Sequence, residues 1–325
     1  MVKKISTACF LNAYFCTVKQ NLKNWLLLFL LACIWGSSFI LMKKGMFDPS
    51  GDVIFSAPQV ASTRILLAAL VLFPFAIPSL KKLYDRKNAL LFLSVGLSGN
   101  LIPAFLFTYA ETGISSGLAG MLNSFTPIFT LLVGVLFFQI KAKLFQVIGA
   151  IIGTVGIFLL VFLGKSNSFT GNLEQIIAVI AATLLYGLSL NLIKHKLAGF
   201  TSIEITSLSF ASILIPSAFA FFYFQTPTVI ITKPAAGSAF MYISILGIIG
   251  TAMAVFLFNG IIKKSSALFA SSVTYLIPIV AVLIGFSFSE KITYNQVGAM
   301  VIVLLGVFIV NYGQMVFSKM KELLK

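Results

Sequence analysis

The sequence predicts an all-α polytopic membrane protein. Ten transmembrane helices form two inverted five-helix repeats, with both termini in the cytoplasm. Three observations predict this: the composition, an internal repeat, and the side of the membrane on which the basic residues fall. Hydrophobic residues make up 59% of the 325-residue chain and charged residues 10%, with a mean hydropathy of +1.05. Soluble domains sit near about 45–50% apolar and about 25% charged. The apolar runs are about 20 residues long, the length a helix needs to cross a bilayer. They are continuous and do not alternate, which selects helices over barrel strands.

The spans run approximately 25–42, 58–78, 89–109, 114–137, 144–163, 173–193, 202–223, 238–260, 266–288 and 294–315. The first begins after Lys23 and stops at Lys43-Lys44. The second is closed by Lys81-Lys82, and the third starts past Lys87. Lys141 and Lys143 separate the fourth from the fifth, and Lys194 to Lys196 end the sixth. Lys263-Lys264 divide the eighth from the ninth. The longest connections, Asp48–Pro58 and Gln225–Gly237, are Pro- or Gly-punctuated turns, too short for a soluble domain. The chain therefore divides into an N-terminal segment 1–24, a first repeat 25–163, a second repeat 173–315 and a tail 316–325.

The duplication is visible in Ser115–Val161, which returns altered as Ser265–Val310. SSGLAGMLNSFTPIF matches SSALFASSVTYLIPIV, and QVIGAIIGTVGIFLLV matches NQVGAMVIVLLGVFIV. Each copy is a small-residue start, an apolar helix with a proline, a polar turn and a second apolar helix. The first spans match as well: Trp35-Gly36 aligns with Tyr186-Gly187, and Lys43 with Lys194. Similarity is weak in the second and third spans of each half.

The net charge is +15, but it is sorted by side. Of the 23 basic residues, 17 fall in one set of loops and the termini, five fall in the opposite loops, and Arg64 lies inside a span. The positive-inside rule then places both termini in the cytoplasm, which requires an even number of spans. Five spans per half is odd, so the second copy enters the membrane upside down. Such an inverted repeat is the framework of alternating access. The basic residues occupy scattered membrane-edge turns, so nucleic-acid binding is not expected. The expected partners are a small-molecule solute and the lipid bilayer, with the protein as a monomer or homodimer.

Several motifs resemble those of EamA-type transporters of the drug/metabolite transporter superfamily. Trp35-Gly36-Ser37-Ser38-Phe39 resembles the signature of the first span, and Ser62–Ala69 the Arg- and Leu/Ala-rich second span. Tyr109-Ala110 through Pro127, and Glu290 followed by Gln296-Val297-Gly298, are similar to the end-of-repeat pattern. The resemblance covers nearly the whole chain after Trp25. It implies a ten-helix inverted-repeat carrier of small organic solutes, commonly an exporter of amino acids or other metabolites, in the bacterial inner membrane. Gln139 departs from the pattern, which has Glu at the turn after the fourth span; the second copy keeps Glu290.

The candidate solute path is polar. Pro127 and Pro278 each remove a backbone hydrogen bond near a span centre. The freed carbonyl must find a partner or face a polar cavity. Ser116, Gly120, Asn123, Pro127 and Thr130 share one helix face, as do Ala267, Ser271, Thr274 and Pro278; a path lining and close small-residue packing both fit. Asn100, Thr108, Tyr109, Tyr186, Ser189, Asn191, Asn259 and Tyr275 are further polar groups inside spans, each lining a cavity or bonding a neighbouring helix. Ser38 belongs with them. Trp35, Tyr109 and Tyr186 are aromatic walls or interface belt. Arg64 binds a solute anion, snorkels, or caps the carbonyls of a neighbouring helix. Glu111 is its candidate partner, a proton carrier, or a solvated helix end.

Absences bound the rest. No carboxylate lies at the centre of a span, so a buried acidic proton relay is not evident. His195 sits between lysines. Cys9, Cys16 and Cys33 lack metal spacing. There is no phosphate-loop motif, no metal or cofactor signature, and no catalytic constellation, so an enzyme is not expected. Gly149, Gly153 and Gly156 form a small-residue face for packing within one chain or between two. Ile5–Val18 is apolar but too short to span, and fits an interfacial helix. Alternative functions are a nucleotide-sugar or phosphorylated-metabolite exchanger and, from another class, a lipid scramblase or structural subunit.

Overall fold

A computed structural model describes the backbone of residues 7–114, 116–162, 173–287 and 294–323, and most of their side chains between Asn24 and Gly313. The described residues are helical throughout, apart from turns and one isolated bridge between Phe47 and Val53. The helices are α1 (Thr7–Met46), α2 (Ala57–Ala76), α3 (Arg86–Gly96), α4 (Ile102–Ala110), α5 (Ser116–Asn123), α6 (Thr126–Phe138), α7 (Leu144–Phe162), α8 (Leu173–His195), α9 (Ser202–Tyr223), α10 (Thr226–Thr232), α11 (Ala236–Gly247), α12 (Ala254–Lys264), α13 (Ala267–Ser271), α14 (Val273–Ser287) and α15 (Tyr294–Leu323). Six stretches are long and apolar enough to cross a membrane: Asn24–Met46, Ala57–Tyr84, Arg86–Ala110, Leu173–His195, Ser202–Tyr223 and Ala236–Lys264. Shorter apolar stretches, Thr126–Phe138, Leu144–Gly156, Ala267–Val280 and Val297–Val310, lie in the fourth, fifth, ninth and tenth expected spans. Large apolar side chains such as Phe75, Phe137, Ile215 and Phe219 are exposed around this bundle. So much apolar surface is stable only against lipid.

Helix α1 runs unbroken from Thr7 through Met46, so its helical backbone joins the expected N-terminal segment to the first span. Glu290 lies outside the described residues. Gln139 caps α6 in the left-handed conformation, at φ 55°.

The second spans of the two halves pack together as α2 and α9, and they run antiparallel. At one end Gln59 Nε2 donates to the Phe224 carbonyl at 2.8 Å, joining the start of α2 to the end of α9. At the other, Ser79 Oγ donates to Glu204 at 3.2 Å and Lys82 pairs with the same carboxylate. The two helices also start alike. Ser56 with Gln59 and Thr201 with Glu204 each form a capping box, satisfying orphan N–H groups reciprocally.

The fifth spans, α7 and α15, pair antiparallel in the same way. Added Cβ atoms would meet backbone nitrogen of Val310 at 2.5 Å from Gly149, and of Val303 at 2.7 Å from Gly156. The Gly149/Gly153/Gly156 face is therefore used inside the chain. Its missing side chains let two helix backbones touch, the usual use of small residues in lipid.

The remaining spans exchange partners. α1 packs on α11, α12 and α14, while α8 packs on α4, α5 and α6. Pairs of contacts repeat at an offset of 151 residues. Gly36 lies against Val280 and Gly187 against Phe129; Gly250 lies against Ser38 and Gly99 against Ser189. Equivalent helices running oppositely and contacts exchanged in pairs give the bundle an approximate two-fold symmetry.

Candidate functional site

Two kinds of helix irregularity converge at the centre. The first is a break. The fourth span stops at Asn123 and restarts at Thr126, and the ninth stops at Ser271 and restarts at Val273. A proline lies just beyond each break. Pro127 sits in the first turn of α6, where no N–H is missed. The Asn123 carbonyl four residues earlier accepts from Thr126 Oγ1 at 2.7 Å. Pro278 lies inside α14, freeing the Thr274 carbonyl, which accepts from Ser124 Oγ at 3.1 Å. That bond ties the two breaks together across the halves. Both carbonyls freed by proline are thus occupied by hydroxyls, and Pro127 and Pro278 are buried behind the cavity surface.

The second irregularity is a π-turn in the third and eighth spans, at Leu97–Leu101 and Ile248–Met253. π-turns leave backbone groups without their usual partners and often mark functional sites. Here Trp35 Nε1 donates to the Gly250 carbonyl at 3.0 Å, and Thr251 Oγ1 to the Leu246 carbonyl at 3.0 Å. The two turns stand at equivalent positions: Gly96, Gly99 and Phe107 recur as Gly247, Gly250 and Phe258.

Between these irregularities lies a cavity. The space between its atoms is about 1090 Å³, open solvent at its mouth included. Trp35 and Ser38 line it from α1, Arg64 from α2, Asn100 from the first π-turn, Asn123 from α5 and Tyr186 from α8. Asn259 of α12 and Thr274 of α14 complete the sequence-expected set. The aromatic walls repeat between halves. Phe107 stacks on Tyr186 at 5.9 Å and 24°, and Phe258 meets Trp35 edge-on at 5.0 Å. Asn259 Nδ2 donates to Thr206 Oγ1 at 2.9 Å.

Other expected residues lie elsewhere. Tyr109 is 40% exposed, and its hydroxyl donates to Glu174 at 2.9 Å. Asn191 donates to the Thr130 and Gly187 carbonyls at 2.8 Å, fastening α8 to α6. Tyr275 is fully buried and donates to the Ala150 carbonyl at 3.1 Å, fastening α14 to α7. Ser189, Thr206, Ser209 and Thr251 line the cavity, and the weakly similar second and third spans gave little signal for the last three. The recurring glycines at an offset of 151 were the available clue.

Arg64 lines the cavity. Its Nε donates to Thr251 Oγ1 at 3.3 Å and its Nη1 approaches Met42 Sδ at 3.6 Å. Glu111 is not its partner: it is 3% exposed, and its Oε2 accepts from Ser116 at 2.9 Å. Glu111 sits one residue past the stretch Arg86–Ala110. Burial pushes its carboxyl up to about 7, against the pull of Lys43 and the Ser116 hydroxyl. Its Oε1 has no hydrogen-bond partner among the described residues. A buried acid with a raised value stabilises the fold in full below its ordinary 4.5, and that stability is lost as pH rises through about 7. Melting curves between about pH 5 and 8 should therefore show the wild type losing stability relative to Glu111→Gln as pH rises. Parallel curves for the two proteins would contradict this assignment.

The sequence model of the EamA-like transporter family matches residues 23–162 and again residues 173–312. The chain belongs to the EamA-like transporter family. The two matches coincide with the halves related by the approximate two-fold. Relatives include the uncharacterized inner membrane transporter YedA of Escherichia coli K12, 26% identical over 89% of this chain and 91% of its own. An uncharacterized transporter of Archaeoglobus fulgidus is 26% identical over 89% of this chain and 99% of its own. Protein PagO of Salmonella typhimurium is 24% identical over 87% and 91%. A crystal structure of a protein 15% identical superposes with a TM-score of 0.63 over 89% of this chain and 97% of that one, a likeness of fold. This EamA-like chain is an integral inner-membrane transporter, with lipid as its surroundings and a small molecule as its cargo.

Proposed function

We infer that the chain is a secondary carrier that moves small amphiphilic organic metabolites, amino acids or similar compounds, outward by alternating access. The observation that carries this reading is the central cavity. It lies where the broken spans and π-turns of two oppositely running repeats meet, as expected of carriers built this way. In this reading the six long apolar stretches and the four shorter ones make ten spans, the termini are cytoplasmic, and the two halves rock about the cavity. Aromatic walls beside amides and hydroxyls suit a solute with an apolar body and few polar groups. Arg64 is the one cationic residue among those lining the cavity, which disfavours a phosphorylated or nucleotide-sugar cargo that needs several.

Cysteines placed at Thr274 and Asn123, in a background lacking Cys9, Cys16 and Cys33, test the alternation. In oriented vesicles an impermeant thiol reagent should label these positions from either face, and solute should protect them. Failure of both positions to react would remove the cavity as a path.

A further inference from the structure

The cavity is symmetric in shape and asymmetric in charge. With the two capping boxes aligned, Gln59 on Glu204, the position of Arg64 falls to Ser209 in the second repeat. Arg64 reaches Thr251, and the equivalent of Thr251 is Asn100. One side of the cavity therefore holds a guanidinium on a hydroxyl, and the other a hydroxyl and an amide that do not bond each other.

Neither side is satisfied. A guanidinium carries five N–H donors, and among the described residues Arg64 finds partners for Nε and Nη1, one of them a thioether. Among the described residues no carboxylate lines the cavity, and the ion pair is Lys82 with Glu204. On the opposite side Asn100 Oδ1 and Ser209 Oγ are buried without a hydrogen-bond partner, in residues 7% and 1% exposed. An unpaired, partly buried cation and an orphaned buried acceptor are both costly. Both costs disappear if one ligand brings an anion to Arg64 and a neutral donor to Asn100.

Resting on the transport reading above, we propose that this cavity selects a monoanionic solute: a carboxylate for Arg64, an uncharged N–H or O–H donor for Asn100 Oδ1, and an aromatic or aliphatic body between Trp35–Phe258 and Phe107–Tyr186. A free ammonium is disfavoured, because the lining offers it no negative charge. The preferred class is therefore N-acylated amino acids and hydroxy acids, ahead of zwitterions, and cations are excluded.

The test is calorimetric titration of the purified chain in detergent with four probes of one shape. They are N-acetylphenylalanine, its carboxamide, phenylalanine and phenethylamine. N-acetylphenylalanine should bind at least tenfold tighter than the carboxamide, with phenylalanine between them and phenethylamine not binding. In Arg64→Gln the acid-to-carboxamide preference should collapse to near one. Equal binding of acid and carboxamide by the wild type, tighter binding of the amine, a preference that survives Arg64→Gln, or no binding of any probe would each overturn the proposal. The wild-type series stands even if the variant does not fold. Binding without flux in liposomes would sink the transport reading and leave the charge selection standing.

Discussion

Replacing Gly306 with leucine should prevent the chain from folding. A Cβ at this position would run into the Gly153 nitrogen, and would lie 2.5 Å from the Gly153 Cα and 2.9 Å from the Gly149 carbonyl oxygen. These are backbone atoms of the facing helix, so no side chain can rotate away. The two fifth spans must separate, and with them the closest seam between the halves. Overpacking a core costs about 1–3 kcal/mol when neighbours can give; here the cost should exceed that range. Gly298→Leu on the same helix is the control, because nothing lies within 4 Å of its added Cβ. Size-exclusion profiles and melting temperatures in mild detergent should show Gly306→Leu aggregated and Gly298→Leu unchanged. A monodisperse, wild-type-like Gly306→Leu would mean that α7 and α15 do not pack this way.

The second large effect is functional. Thr274→Trp should abolish transport while the protein still folds. Thr274 is 5% exposed and lines the cavity just past the break in the ninth span. Its carbonyl, not its side chain, holds Ser124, and among the described residues its own hydroxyl bonds back to the Ser271 carbonyl at 2.9 Å. The side chain can therefore be exchanged without breaking the tie between the halves. An indole at this point fills the space beside Asn123 and Tyr186 that the solute would occupy.

Legibility in the sequence varies by feature, and for physical reasons. Periodicity and loop charge mark where helices begin and end, because lysines cannot lie in hydrocarbon. The duplication shows in the end-of-repeat helices, where small residues are demanded by close packing. It fades in the second and third spans, whose capping boxes use Gln59 in one copy and Glu204 in the other. The π-turns carry no recognisable signature; at the second, the Gly250 and Leu246 carbonyls are taken by Trp35 and Thr251, which the local sequence does not announce. Pro127 and Pro278 mark broken backbone bonds from sequence alone. Which groups then take the freed carbonyls depends on Thr126 and Ser124, one of them acting from the opposite half. Asn191 and Tyr275 have the chemistry of a path lining, but they are spent on neighbouring carbonyls. That distinction needs three-dimensional neighbours. Arg64 is ambiguous from sequence because snorkelling and cavity lining both fit its depth; only the position of Thr251 separates them.

The central claim is that solute passes through the cavity shared by the two repeats. Counterflow in liposomes tests it most directly. Vesicles holding the purified chain are preloaded with unlabelled solute, and uptake of the labelled solute is followed without a proton gradient. The wild type should show a transient overshoot that Thr274→Trp lacks. An overshoot of equal size in both proteins, or none in the wild type for any solute that it binds, would contradict that claim.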